Sequence, residues 1–305
     1  MHIIRPVTIG SSEITATNAV PANSAWSSGT SYTIGQLAEK SNRVYESIFA
    51  GANLNHDPDT DTANGTVLGA YWKYNEATNS RIMFDYTRSG DDYQTTRSGN
   101  ITVTLEPAQG ITDYIAFFGL NGNEITVTVT DTIDGLVYDE TFDLQDNSAV
   151  YDGFTYCFEP IVKHTELIVD DMPPYANTEI GIVIDAGANT AKCGKCVVGF
   201  GKFVGDVVYG TQVGIVSYSE IKRELGRSTI QSGDYNRFVD YKIGVQTQYN
   251  REVQKLLTGF RDQPIVFIGS STDFLETTLY GVYTDFTLSI DNPAISPLSM
   301  RVEEL

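Results

Sequence analysis

Between about Arg81 and Phe200 one pattern dominates the chain: short segments in which apolar and polar residues alternate. "NITVTLEP" (100–107), "NEITVTVTDT" (123–132) and "TEIGIVID" (178–185) place an aliphatic side chain at nearly every second position. That period is the period of a strand, whose side chains point to opposite faces in turn, and it does not fit a helix of 3.6 residues per turn. "ITDYIAFFGL", "GLVYDETFDL", "FTYCFEPI" and "TELIVDD" read as further strands, with "NGN", "IDG" and "PPYAN" as turns between them. So many short strands at near-even spacing predict a β-sandwich or jelly roll over residues 80–200.

The flanks differ from this middle. Residues 1–24 alternate loosely and end at "VPANSAW", where Pro21 and Asn23 break any strand; they read as an arm or strand belonging to another part of the fold. Residues 25–75 form a compact unit of short β segments, "SYTIG", "RVYESIFAG" and "GAYWKYN", around the polar loop "NLNHDPDTDTANG". So small a unit has a thin core, which aromatics commonly fill. In residues 201–305, "NREVQKLLTGFRDQ" sets Val253, Leu256, Leu257 and Phe260 at helical spacing behind Asn250 as N-cap, and strand-like runs lie on both sides. The expected fold is therefore mainly β: a small aromatic-rich module, a sandwich, and an α+β C-terminal domain with one main helix.

Charge narrows the partners. Among 305 residues, 20 Lys and Arg face 39 Asp and Glu, a formal charge of −19. Phosphate backbones are bound by cations that displace counterions, so nucleic acid is not an expected partner. No run reaches the roughly 18 to 20 apolar residues of a membrane span, and the N-terminus lacks the basic-then-apolar build of a signal peptide. The expectation is a protein made in a cytoplasm and not inserted into a membrane.

Chemistry-bearing motifs are scarce. The chain has no G-x-S-x-G elbow, P-loop, H-E-x-x-H or dinucleotide fingerprint, and His2, His56 and His164 lie far from one another. A non-enzyme without cofactor or metal is expected, with a polysaccharide depolymerase as a minor reading that would need paired carboxylates across a groove. Asp57, Asp59 and Asp61 alternate as calcium ligands do, but Thr62 stands where the sharp turn wants Gly and Leu68 where the bidentate Glu belongs; a solvated loop with Asx turns is the reading. Cys193 and Cys196 form a C-x-x-C with no second pair to complete a zinc site, and Cys157 sits on a predicted strand. They read either as ordinary thiols at a turn or, because an odd count leaves one unpaired, as candidates for a disulfide between subunits.

Trp26, the "SYTIG" turn with Tyr32 and Gly35, Tyr45 and Trp72 together resemble small carbohydrate-binding modules of the chitin-binding kind, with Gln36 in place of the usual Asp after Gly35. The resemblance implies two roles for Trp26, Tyr32, Tyr45 and Trp72: stacking on a sugar or forming the module's core. The wider order of segments, from "IIRPVTI" through "CVVGFGKFVGDVVYGTQVGIVSYSE" to "FIG" and "YGVYTDFTLSI", resembles virion structural proteins of tailed bacteriophages, associated with tail, collar or baseplate. It implies a virion location, docking through the C-terminal domain, and partners among other virion proteins and copies of the chain in a symmetric ring. A receptor-binding protein that grips a bacterial surface glycan is the alternative. "GDVVYGTQVGIVSYSEIKRELG" reads either as an internal strand or as a strand that pairs with a neighbouring subunit.

Overall fold

A computed structural model describes residues 1–63, 71–88, 90, 93–107, 110–148, 150–224, 227–270 and 274–305. Leu68 lies outside them. The chain opens with β1 (His2–Pro6) and β2 (Ile14–Thr17), then enters the small module with β3 (Leu37–Lys40), β4 (Arg43–Ser47) and β5 (Trp72–Ala77). A short 3-10 turn, Ile82–Phe84, leads to β6 (Thr95–Leu105), β7 (Tyr114–Phe118), β8 (Glu124–Asp131) and β9 (Gly135–Asp143). Next come the helix α1 (Gly153–Phe158), β10 (Glu166–Val169), β11 (Thr178–Cys193) and β12 (Lys195–Phe203). The last third holds β13 (Gln212–Ser217), β14 (Glu220–Glu224), β15 (Arg227–Gln231), β16 (Tyr235–Gln246), α2 (Asn250–Gly259), β17 (Ile265–Ile268), β18 (Thr278–Leu288) and β19 (Ile295–Glu304).

Two sheets organise the body. One has five strands in the order β9-β8-β11-β6-β2. The other has ten and runs β10-β7-β12-β1-β17-β18-β19-β16, with the two-residue strand Asp206–Val207 and β13 both pairing with β16. This long sheet crosses the boundary expected near residue 200, because β1 lies between β12 and β17 and hydrogen-bonds to both. It also curls: Arg237 on β16, near one end, pairs with Glu166 on β10, the edge strand at the other end, and with Glu304 on β19 at 2.8 Å.

The alternation in the sequence sorts side chains into three cores. Ile125, Val127 and Val129 of β8 and Ile180, Ile182 and Ile184 of β11 face Ile115 and Phe117 of β7 and Cys196 and Val198 of β12, closing the sandwich. Farther along the same face of the long sheet, Val253 and Leu257 of α2 pack against Ile3, Tyr241, Phe267, Leu298 and Met300. The opposite face carries Ile4, Ala116, Val197, Val266 and Tyr280, with Tyr86 packed against them. Tyr86 donates to the Cys196 carbonyl at 3.1 Å and accepts at its own carbonyl from the Tyr280 hydroxyl at 3.0 Å. The middle of the sheet is thus buried on both sides, which explains why "IVFI" of β17 is continuously apolar rather than alternating.

Two local readings are corrected. "FTYCF" is a helix, not a strand: the Asp152 carboxylate accepts the Thr155 N–H at 2.8 Å while Thr155 Oγ1 accepts the Asp152 N–H at 3.1 Å, a reciprocal cap that satisfies two donors of the first turn. Asn250 does not cap α2. The 3-10 turn Thr247–Tyr249 runs straight into the helix, and the Asn250 side chain instead donates to Ser296 Oγ at 2.7 Å.

Strand β1 also sets a steric demand on its neighbour. A Cβ placed on Gly199, opposite Pro6, would fall 2.1 Å from the Arg5 carbonyl oxygen, so only glycine lets the two backbones approach. Ile4 is fully buried in the core behind this pairing. Ile4→Ala should lower the unfolding free energy by about 2 to 5 kcal/mol, and in urea denaturation it should shift sandwich and helical-domain probes together, since β1 belongs to both.

Candidate interaction surfaces

The small module is built around its rings. Strands β3, β4 and β5 pair in that order, and Thr62–Ala63 runs parallel to β5. Tyr32, Tyr45 and Trp72 are buried together with Ala38, Tyr32 meeting Trp72 edge to face at 5.0 Å. Their polar ends are occupied: the Trp72 indole donates to the His56 carbonyl at 2.8 Å, the Tyr45 hydroxyl to Asp59 at 2.9 Å, and Tyr32 Oη accepts the Ser27 N–H at 2.8 Å. Burial therefore gives these three rings the core role of the two open to them. Trp26 is half-buried, and Lys40 Nζ sits 4.4 Å above its ring. The "SYTIG" turn is closed by Gln36, whose side-chain carbonyl accepts the Thr33 N–H at 2.7 Å, with Gly35 at φ +84° supplying the left-handed step.

The carboxylates of the acidic loop are tied to the module's own side chains, Asp57 and Asp59 sharing Lys40, which lies 3.9 Å from Asp59. Asp57 pairs with Lys40 at 2.5 Å and accepts the Asp59 N–H in an Asx turn at 3.0 Å. Asp59 accepts from Tyr45 and Ser41, and Asp61 lies 3.4 Å from His56. The loop ties the module's strands together, with the Lys40 ammonium between the Asp57 and Asp59 carboxylates.

The C-x-x-C marks a corner of the sandwich. At Gly194 the chain leaves the five-stranded sheet, where Cys193 pairs with Thr95, and enters the ten-stranded one, where Lys195 pairs with Phe118. Cys193 and Cys196 are both free thiols fully buried in the sandwich core, so neither can bond to another chain without unfolding this one. They fill the corner as small apolar groups. Burial pushes the Cys193 thiol up to about 12. Cys157, on α1, is exposed and remains the one cysteine open to a neighbour.

Beside that corner a buried lysine joins module to body. Lys195 Nζ lies 4.9 Å above the Tyr93 ring and 3.5 Å from the Ile82 carbonyl; Tyr93 donates to Asp85 at 2.6 Å and accepts the Ala77 N–H at 3.2 Å. Burial lowers the Lys195 ammonium to about 8, against a partial restoring pull from Asp85. Sequence reading passed over this residue because a lysine in a polar turn gives no sign of burial.

The most exposed apolar residues collect in two places. In residues 150–162, Tyr151, Phe154, Tyr156 and Phe158 are 82%, 68%, 78% and 72% exposed, Ile161 and Val162 are also exposed, and only Thr155 is buried. This lobe surrounds Cys157. The second place is the ribbon from β13 to β16. Strand β13 pairs with β16 and leaves Val213, Ile215 and Val216 exposed; among the described residues β14 and β15 pair only with each other, and Ile221 and Ile230 are exposed. Tyr218 and Tyr235 are exposed between them. Two shallow grooves of about 420 and 410 Å³ also open on the surface, the first lined by Asp240, Lys242, Asp285 and Arg301, the second between Phe203–Asp206 and Tyr249, Glu252 and Leu256 of the α2 region. Among the described residues, no helix is long and apolar enough to cross a membrane.

Compared with known proteins, the chain matches no family, no curated protein and no solved structure.

Two measurements check the buried groups. Iodoacetamide at pH 8 should add a single group to the native protein, at Cys157, and three after denaturation, as counted by mass spectrometry. Lys195 has a folded-state pKa below its unfolded one, so its charged form destabilises the fold below about pH 8 and that cost disappears as pH rises from 8 through 10.5. Lys195→Met should accordingly stabilise the protein by up to roughly 3 kcal/mol at pH 7, with the gain over wild type shrinking toward pH 10.5 in thermal melts.

Proposed function

We propose that the chain is a structural subunit of a tailed-phage virion, in the tail, collar or baseplate region. In this reading it docks through its C-terminal portion, carries the sandwich and small module outward, and assembles with copies of itself in a symmetric ring. The observation that supports it is the pair of large exposed apolar surfaces, the lobe at 150–162 and the ribbon from β13 to β16. Exposed apolar side chains gathered in this way are uncommon on a protein that acts alone and mark sites that another surface covers. The charge of −19 fits the same role, since it keeps such a subunit soluble before it docks. No chemistry is required of it.

The receptor-binding alternative draws on the small module, and burial of Tyr32, Tyr45 and Trp72 leaves it only Trp26 among the four rings. Immunogold labelling of virions of the encoding phage separates the readings. Label in a ring at the head-tail junction, along the tail or on the baseplate is the expected result. Label at a fibre or distal tip would transfer the reading to receptor binding, and virions that carry no label on a well-probed surface would overturn the virion assignment.

A further inference from the structure

The ribbon and the lobe differ in charge as well as position. On the ribbon, Ile221 and Ile230 are register partners, so they form one apolar patch, and Arg223 lies two residues on along the same face; Lys222 projects from the other face, where it donates to Gln231 at 3.0 Å. Glu220 shares that other face, and Arg223 is the charged residue on the Ile221–Ile230 face, in a chain with nearly two acidic residues for each basic one. On the lobe, Phe154 and Phe158 pack ring against ring at 4.8 Å, and the acidic groups beside them are Asp146, Asp152 and Glu159. The nearest lysine, Lys163, is engaged with Asn123 Oδ1 at 2.9 Å.

We propose that the β14–β15 ribbon of one copy docks on the aromatic lobe of the next copy, Ile221 and Ile230 against the Phe154–Phe158 pair and Arg223, which shares their face, against the acidic rim. The inference rests on the self-assembly reading above and names its contact. Charge selects the pairing. Two copies that each carry −19 repel in most orientations, and a lobe-to-lobe contact would set Asp146, Asp152 and Glu159 against themselves; ribbon-to-lobe is the contact that joins opposite signs. It also covers the lobe and the Ile221–Ile230 patch of every subunit at once. Such a contact is heterologous, head to tail, and closes into a ring when the rotation between copies permits.

Cys157 makes the contact testable, because it lies in the lobe and is the exposed cysteine among the three. The full chain carrying Ile230→Cys, an exposed position whose replacement should leave the circular dichroism spectrum and melting temperature unchanged, is concentrated, its mass followed by light scattering, and then mildly oxidised. The expected result is a ladder of disulfide-linked dimers, trimers and larger species on non-reducing gels. Mass spectrometry should find Cys157 bonded to the introduced cysteine, and adding Cys157→Ser should abolish everything beyond dimers. Arg223→Glu should weaken self-association at least tenfold, whereas Lys222→Glu, on the opposite face, should leave it within about twofold. An oligomer whose only cross-links are Cys157 to Cys157, or which forms none, would overturn the ribbon-to-lobe contact and leave self-assembly standing. A monomer at every concentration would overturn self-assembly and the contact with it.

Discussion

The pairing of β1 with both β12 and β17 is the interaction on which the rest depends. Five residues, His2–Pro6, sit in the middle of the ten-stranded sheet, with the sandwich strands on one side and the helix-covered strands on the other. Ile3 faces the core under α2, Ile4 faces the core behind the sheet, and Gly199 keeps the backbones close enough for the ladder to form. The arm continues into β2, which joins the five-stranded sheet, so a single short segment holds both sheets. Loop-closure entropy makes such long-range pairings slow to form, and their loss separates parts that share no other strand.

A second constraint comes from curling. A sheet of ten strands twists too far to stay open and flat, and here its two ends approach closely enough for Arg237 to reach both Glu166 and Glu304. The curl concentrates apolar side chains on the covered faces and leaves β13 at an edge, continuing into the β14–β15 ribbon, which pairs with no other described strand. Exposed edges and ribbons of this kind template further pairing or docking. Both candidate docking surfaces are therefore products of where the sheet and its connections end rather than of any local motif.

Much of the fold was legible residue by residue. Ile125, Val127 and Val129 alternate with threonines, and they alternate between core and surface; Val253 and Leu257 at helical spacing are the buried stripe of α2. The failures have physical causes. "FTYCF" has strand-forming residues throughout, and the cap between Asp152 and Thr155 outweighs that propensity where no sheet neighbour is at hand. Asn250 suits an N-cap, but a preceding 3-10 turn already continues the backbone into the helix. For the rings of the small module, an aromatic that stacks on a sugar and one that fills a thin core are the same letter, and only their burial separates them.

The sequence by itself determined the β class, the position of the main helix and the acid excess, because periodicity, capping and composition are properties of neighbouring residues. Tertiary structure decided that the first strand joins sandwich to helical domain, that Cys193 and Cys196 are sealed while Cys157 is open, and that Lys195 is buried beneath Tyr93. It also decided which apolar residues stay bare. Each of these depends on what a distant segment of chain brings alongside, and no window of neighbouring residues carries that information.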